Sequence, residues 1–287
     1  MTWRDAFHRL LQREELNFVL TNRLPRLMLT RLMGRLSRIG HPLVRVPALA
    51  LFRFFARPDL SDARKQRFDS LHDCFIRELR PGARPFAPQP HVLCSPSDGI
   101  VGACGRIEGD ELLQIKGMPY SLQQLLGGSA LAGRHQGGFY VTLRLRAGMY
   151  HRFHAPADGV VRQVTHIQGD AWNVNPPALK RVPALYCRND RAVIEVELPD
   201  GQPLTLVPVG AILVASVRLH FLDLTLHHGY RGAQTLPCAA AVRRGQELGW
   251  FEHGSTIVVL GPPGYALASG LQGDMEIRAG QPLLQRL

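Results

Sequence analysis

Gly254-Ser255-Thr256 stands between the aromatic pair Trp250-Phe251 and the run Ile257-Val258-Val259-Leu260. Aliphatic and β-branched residues in succession read as a buried strand, which puts Ser255 at its mouth. Gly254 has no Cβ, so its carbonyl is open to close approach. A serine hydroxyl beside it is a nucleophile once a base removes its proton. By itself, a Gly-Ser pair more often marks a turn that enters a strand. Tyr150-His151-Arg152-Phe153-His154 supplies two imidazoles, side chains that titrate near neutral pH and serve as general bases. Two histidines three apart also suit a metal, but no third ligand follows at a usual spacing, and no metal is expected. Ser95-Pro96-Ser97-Asp98-Gly99 adds a carboxylate in a tight-turn context. Asp98, His154 and Ser255 follow in that chain order, which carries no geometry of its own, because such triads arise on unrelated folds.

Short strands must position these groups. Phe139 to Arg146 alternates as a strand should. Val193–Leu198 and Leu204–Val217 flank Pro199-Asp200-Gly201-Gln202, a hairpin turn. Many short strands separated by Gly and Pro predict an α+β chain whose catalytic domain is mostly antiparallel β, with helices at the N-terminus, rather than alternating βαβ units. Two echoes suggest related halves: Ser95-Pro96-Ser97-Asp98-Gly99-Ile100-Val101 recurs as Ala155-Pro156-Ala157-Asp158-Gly159-Val160-Val161, and Arg244-Gly245-Gln246-Glu247-Leu248 as Ala279-Gly280-Gln281-Pro282-Leu283. Both repeats are too short to prove duplication, and Asp158 is a rival to Asp98. Upstream, Asp59 to Arg80 places Phe68, Leu71, Phe75 and Leu79 at helical spacing, and Pro81, Pro85, Pro88 and Pro90 make an extended connector.

With 287 residues, 45% hydrophobic and 7% aromatic, the chain has ample material for a core and is not disordered. Its charge is lopsided. Residues 1–57 hold eleven arginines and no lysine against Asp5, Glu14 and Glu15, so this end carries +8 of the net +11. On a helix over residues 23–39, Leu24, Met28, Leu29, Leu32, Met33, Leu36 and Ile39 share one half, and Arg23, Arg26, Arg31, Arg35 and Arg38 the other. Pro25 suits its first turn, and Gly40 with Pro42 would end it. A second apolar segment, Val46 to Ala56, carries Phe52, Phe54 and Phe55 but is broken by Arg53. Neither reaches the roughly 20 uninterrupted apolar residues of a membrane span, and no signal peptide is evident. A basic amphipathic helix beside exposed aromatics fits an anionic membrane interface. Ordinary packed helices, and then a nucleic-acid arm, are less favoured readings, and no nucleic-acid partner is expected. The division is thus 1–57, membrane-associating helices, and 58–287, the catalytic domain. Cys74, Cys94, Cys104, Cys187 and Cys238 are scattered without a C-x-x-C and read as free thiols of a reducing compartment.

Taken together, Ser95–Gly99, Tyr150–His154 and Gly254–Thr256 resemble, in order and approximate spacing, the three signature blocks of phosphatidylserine decarboxylases. The likeness extends to Leu24-Pro25 and Leu29–Leu32, Phe75-Ile76-Arg77, Ile115-Lys116-Gly117 with Tyr120-Ser121-Leu122, Gly169-Asp170 with Asn173-Val174-Asn175, Arg188–Arg191 and Gly245–Gly249. The resemblance implies a self-processing pyruvoyl enzyme that makes phosphatidylethanolamine from phosphatidylserine. Ser255, deprotonated by His154 with Asp98 orienting the imidazole, would attack the Gly254 carbonyl and form an ester. β-Elimination would release chain 1–254, and the dehydroalanine left on chain 255–287 would hydrolyse to a pyruvoyl group, an electron sink for decarboxylation. His151 would act at the decarboxylation step, on a proton or the substrate carboxylate. The implied partners are an anionic phospholipid membrane, phosphatidylserine and the two fragments as a heterodimer, with room for a higher homo-oligomer. The implied place is the cytoplasmic face of a bacterial membrane, as a peripheral protein.

The sequence also departs from that pattern. His253 stands where the family commonly has Leu, and the stretch from His220 through His227, His228 and Tyr230 to Cys238 matches poorly. Two other readings remain at this level: a membrane-surface hydrolase with Asp98, His154 and Ser255 as a triad, and a non-catalytic lipid-tethered β module. The lack of a G-x-S-x-G elbow weighs against the hydrolase. If an unperturbed His154 is the base, self-cleavage should slow below about pH 6 to 7.

Overall fold

The computed structural model describes residues 15, 18, 22, 25–213, 216–252 and 255–287, with Ser255 described by its backbone only. Arg23, Leu24, His253 and Gly254, which carry sequence expectations, lie outside the described residues. From residue 25 onward the described residues form two helices, α1 (Arg26–Leu36) and α2 (Pro42–Ala56), then a single turn, α3 (Leu71–Phe75). Helix α1 is shorter than the amphipathic pattern suggests. Pro25 is its N-cap, and Pro42 opens the next helix, where a missing N–H costs nothing. Residues 59–80 form only α3, although their spacing is helical. The backbone of 78–80 turns back on 62–64 instead, with Arg64 N–H donating to Glu78 O and Arg80 N–H to Asp62 O.

Strands follow: β1 (Val92–Cys94), β2 (Gly99–Arg106), β3 (Glu111–Ile115), β4 (Met118–Ser121), β5 (Phe139–Leu145), β6 (Arg152–His154), β7 (Gly159–Ile167), β8 (Arg191–Glu197), β9 (Pro203–Val209), β10 (Ser216–Leu219), β11 (Leu224–His227), β12 (Thr235–Val242), β13 (Glu247–Phe251), β14 (Ser255–Leu260), β15 (Tyr265–Leu267), β16 (Glu276–Ile277) and β17 (Pro282–Arg286). Eight make one antiparallel sheet in the order β12-β7-β8-β9-β14-β5-β2-β16, and β11-β10-β13-β6 make a second. The α+β, mostly antiparallel reading holds. The hairpin at 199–202 is present, with Glu197 facing Pro203. Its second strand is shorter than expected, because the chain leaves the large sheet after Val209 and joins the small one at Ser216, turning through Leu213 at φ 70°.

Apolar β14 lies between β9 and β5, and Ile257, Val258, Val259 and Leu260 are fully buried, as a strand covered on both faces must be. Leu143, Leu206, Ile257, Phe153 and Phe251 share one core cluster that joins the two sheets.

Both sequence echoes occupy equivalent places about a local twofold. Cys94 N–H donates to Pro156 O, and His154 N–H to Pro96 O. Ser95 exchanges backbone hydrogen bonds with Gly280 and Gln281, as Ala155 does with Gly245 and Gln246. Asp98 Oδ1 accepts from Ala279 N at 2.9 Å, and Asp158 Oδ1 from Arg244 N at 2.8 Å. The first turns of β2 and β7 are thus built alike.

Candidate active site

The site gathers where β5 ends. Leu145 pairs with Ser255 on one side, and Arg144 pairs with both Thr256 and Ile100. The starts of β14 and β2 are therefore two strand spacings apart, roughly 10 Å. Asp98 immediately precedes β2. From Leu145 the chain turns through Arg146–Met149 into Tyr150 and His151, and then β6 carries His154 alongside Pro96. One continuous segment thus links the three sequence blocks. β6 pairs with β13, and Phe251 N–H donates to His151 O at 2.9 Å, so the strand leading to Ser255 runs past His151.

His154 is largely buried and held at both ring nitrogens. Its Nδ1 lies 3.0 Å from Gly245 O and its Nε2 lies 3.0 Å from the Tyr150 hydroxyl. A carbonyl only accepts, so Nδ1 carries the proton and Nε2 presents its lone pair, accepting from Tyr150. Burial lowers the imidazole's affinity for a proton below the ordinary histidine value, against the opposing pull of the Gly245 carbonyl and Glu247. A neutral imidazole whose unprotonated nitrogen can exchange one donor for another is the form a general base requires. Burial pushes the Tyr150 phenol well up, which keeps it a neutral donor. Gly245 offers its carbonyl from φ +78°, a backbone angle natural to glycine.

Asp98 does not touch that imidazole. It is 8% exposed and forms a bidentate pair with Arg84, Nε to Oδ1 at 2.8 Å and Nη2 to Oδ2 at 2.7 Å. Arg84 also reaches Asp62 at 3.0 Å and lies 5.9 Å over the Tyr150 ring. Burial draws the Arg84 guanidinium down, but hydrogen bonds and charge from Asp98 and Asp62 more than restore it. The imidazole is oriented by Gly245 and Tyr150, and Asp98 lies one arginine away. Asp158, its twofold counterpart, is exposed and caps only Arg244. Geometry thus separates two carboxylates that share a sequence context.

His151 is fully buried, with Nδ1 2.7 Å from Met149 O and its ring 4.0 Å from that of Phe75. The same reasoning puts its proton on Nδ1. Sequence reading missed Arg84, which stands in a proline-rich connector with nothing around it to mark it, and the Gly245 carbonyl, since no backbone oxygen is visible in a motif. Tyr150 was in view as part of a block but had no role. Among the described residues no cluster of His, Cys, Asp and Glu suits a metal.

The helical end is only partly as expected. Leu32 (47% exposed), Leu36 (44%) and Phe55 (47%) face outward, as do Met28, Leu43, Val46 and Leu51, and neither α1 nor α2 buries any residue fully. Arg31 and Arg35 are exposed. Arg26 turns inward, to Asp170 at 2.5 Å and onto the Trp172 ring, and Arg38, although exposed, pairs with Glu252 at 2.5 Å. Phe52 also turns inward, against Phe75 and the Ala63–Phe68–Cys74 cluster. The arginines are therefore partly a dock for α1, which leaves its apolar residues outside. No described helix is long and apolar enough to cross a membrane.

The family model described as phosphatidylserine decarboxylase matches residues 71–285. The chain belongs to the phosphatidylserine decarboxylase family. A phosphatidylserine decarboxylase proenzyme of Anaeromyxobacter sp. (strain K) is 39% identical over 270 residues, covering 91% of this chain and 94% of the relative. Proenzymes of the same description from Citrobacter koseri and Klebsiella pneumoniae are 35% and 34% identical, each over 91% of this chain and 84% and 85% of theirs. These relatives are described as proenzymes, and the family match spans all three sequence blocks, Ser95–Gly99, Tyr150–His154 and Gly254–Thr256.

Proposed function

We propose that this chain is the precursor of a carboxy-lyase that converts phosphatidylserine to phosphatidylethanolamine after cutting itself between Gly254 and Ser255. The observation that carries the reading is the placement of Ser255 at the mouth of β14, beside the β5 end from which Tyr150, His151 and His154 descend. The Tyr150 hydroxyl gives up its hydrogen bond to His154 Nε2, which then takes the proton of the Ser255 hydroxyl as the serine oxygen attacks the Gly254 carbonyl carbon. The peptide bond becomes an ester, and removal of the Ser255 Cα proton expels the Gly254 carboxylate. The dehydroalanine left behind takes up water and releases ammonia to give the pyruvoyl group. Asp98 acts at one remove, holding Arg84 against the Tyr150 ring and so fixing the hydroxyl that faces Nε2.

The residues fit that cofactor. Its serine begins a strand clamped on both sides, so the new N-terminus stays where the nucleophile was. A pyruvoyl carbonyl supplies the electron sink that decarboxylation needs. His151, with its proton on Nδ1, presents Nε2 as the atom that exchanges a proton or holds the substrate carboxylate. Residues 255–287 contribute β14 between β9 and β5, β16 beside β2 and β17 beside β1, so the fragments remain one heterodimer after the cut. Residues 1–57 form the membrane-facing part and 58–287 the catalytic part, a division supported by the exposed apolar residues of α1 and α2. Five unpaired cysteines suit a peripheral protein on the cytoplasmic face. Mass spectrometry of purified protein tests the reading: a break before residue 255 with a blocked small chain is expected, and Ser255→Ala should stay uncut. Full-length wild-type protein that still releases carbon dioxide would refute it.

A further inference from the structure

A cavity of about 880 Å³ opens between the C-terminal end of α2 and the 146–150 loop, with Asp98 and Tyr150 among its lining residues. Its charges do not balance internally. Arg84 is matched by Asp98 and Asp62, and Arg146 by Glu276. Asp59 accepts from the backbone N–H and hydroxyl of Ser61. The lining carries five guanidiniums against the four carboxylates Asp59, Asp62, Asp98 and Glu276, a net of one positive charge. Three of the guanidiniums, Arg57, Arg77 and Arg278, stand outside these contacts. None forms an ion pair with a described residue. Arg77 is 4% exposed and donates only to the backbone carbonyls of Cys74, Asp59 and Gly148, while its Nε–H has no acceptor. Burial draws the Arg77 guanidinium down, and Cys74, Asp98 and Asp59 oppose that shift. Arg57 and Arg278 are exposed at the rim, and Arg57 holds the left-handed φ of 46° that ends α2.

The apolar side of the same opening is Phe55, 47% exposed, which continues the outward-facing residues of α2. Acyl chains against α2 would bring a phosphodiester to the cavity rim and the amino-acid headgroup inward towards Tyr150. We propose that this cavity is the headgroup chamber for an anionic phospholipid, with Arg57 and Arg278 at its rim gripping the phosphodiester. The assignment rests on the decarboxylase reading and adds to it the residues that hold the lipid. Arginine suits the task, since its planar donors match phosphate oxygens in pairs.

The test compares wild type with Arg57→Gln/Arg278→Gln, two exposed and unpaired positions whose loss leaves the core intact. Self-cleavage of the double variant should run to completion, whereas KM for short-chain phosphatidylserine in mixed micelles should rise at least tenfold with kcat within threefold. Binding of glycerophosphoserine, read by titration calorimetry, should weaken equally, which tests the site even if neither protein releases carbon dioxide. An unchanged KM and unchanged glycerophosphoserine binding overturn the proposal, as does inorganic phosphate binding as tightly as glycerophosphoserine. Failure of wild-type turnover alone would strike the decarboxylase reading instead.

Discussion

Replacing Asp98 with Asn isolates charge from shape. The carboxylate accepts three hydrogen bonds, two from Arg84 and one from the Ala279 N–H. An amide with its oxygen kept towards Ala279 and Arg84 Nε points its NH2 at Arg84 Nη2, donor against donor. Both side chains of the pair are about nine-tenths buried, at 11% and 12% exposure. Charge-assisted hydrogen bonds contribute about 1.5–3 kcal/mol each, and breaking a buried pair from one side costs about 3–5 kcal/mol. For a chain of this size that lowers the unfolding midpoint by roughly 5–8 °C, yet leaves it folded in the cold. The assay is thermal unfolding by circular dichroism, paired with a denaturing gel of protein made at 15 °C. We expect a lower midpoint and a persistent full-length band. Arg84→Gln should show both effects too, because the side-chain contacts that link Asp98 to His154 run through Arg84 and Tyr150. Normal cleavage in a destabilised Asp98→Asn protein would reduce Asp98 to a structural role. Normal cleavage in Arg84→Gln alone would show that Asp98 acts directly, after a rearrangement, and would refute the relay argued above.

Burial lowers the proton affinity of His154, so its basic form persists to lower pH than that of a free imidazole. The acid limb of self-cleavage by freshly translated precursor should therefore be centred below the pH at which a free imidazole titrates, and a limb centred above it would count against His154 as the base. A Cβ on Gly148 would stand 2.3 Å from Ala56 O, so Gly148→Ala must push α2 off the loop that carries Tyr150. It should cost about 1–3 kcal/mol and slow cleavage, whereas Gly34→Ala, in open space within α1, should be neutral or stabilising by up to about 1 kcal/mol. Leu43 and Val46 are 81% and 59% exposed, and Leu43→Asp/Val46→Asp removes about 3–6 kcal/mol of apolar transfer. Sedimentation with anionic vesicles should drop at least a hundredfold in affinity, and unchanged co-sedimentation would show that α2 does not enter lipid.

The chain's alternation and its turn residues were enough to announce antiparallel β, because a period of two and a Pro-Asp-Gly turn are local properties. They misjudged residues 59–80, where the helical spacing of Phe68, Phe75 and Leu79 was real but the backbone found its partners across a turn at 62–64. The amphipathic pattern of α1 was likewise visible, but not that Arg26 and Arg38 would face Asp170 and Glu252, since those partners lie 144 and 214 residues away.

The same division runs through the site. By itself the sequence determined the kinds of group present: a serine after glycine, two imidazoles and a turn carboxylate, in blocks specific enough together to indicate the family. Only the tertiary structure distinguished the surroundings of Asp98 and Asp158, because their local turns are equivalent and the difference is an arginine from another segment. It alone showed which nitrogen of His154 holds the proton, since that depends on a carbonyl 91 residues away. Spacing along a chain fixes which residues can share a strand or a turn. Burial and hydrogen-bond partners come from whatever the fold packs against them, and these set protonation and charge.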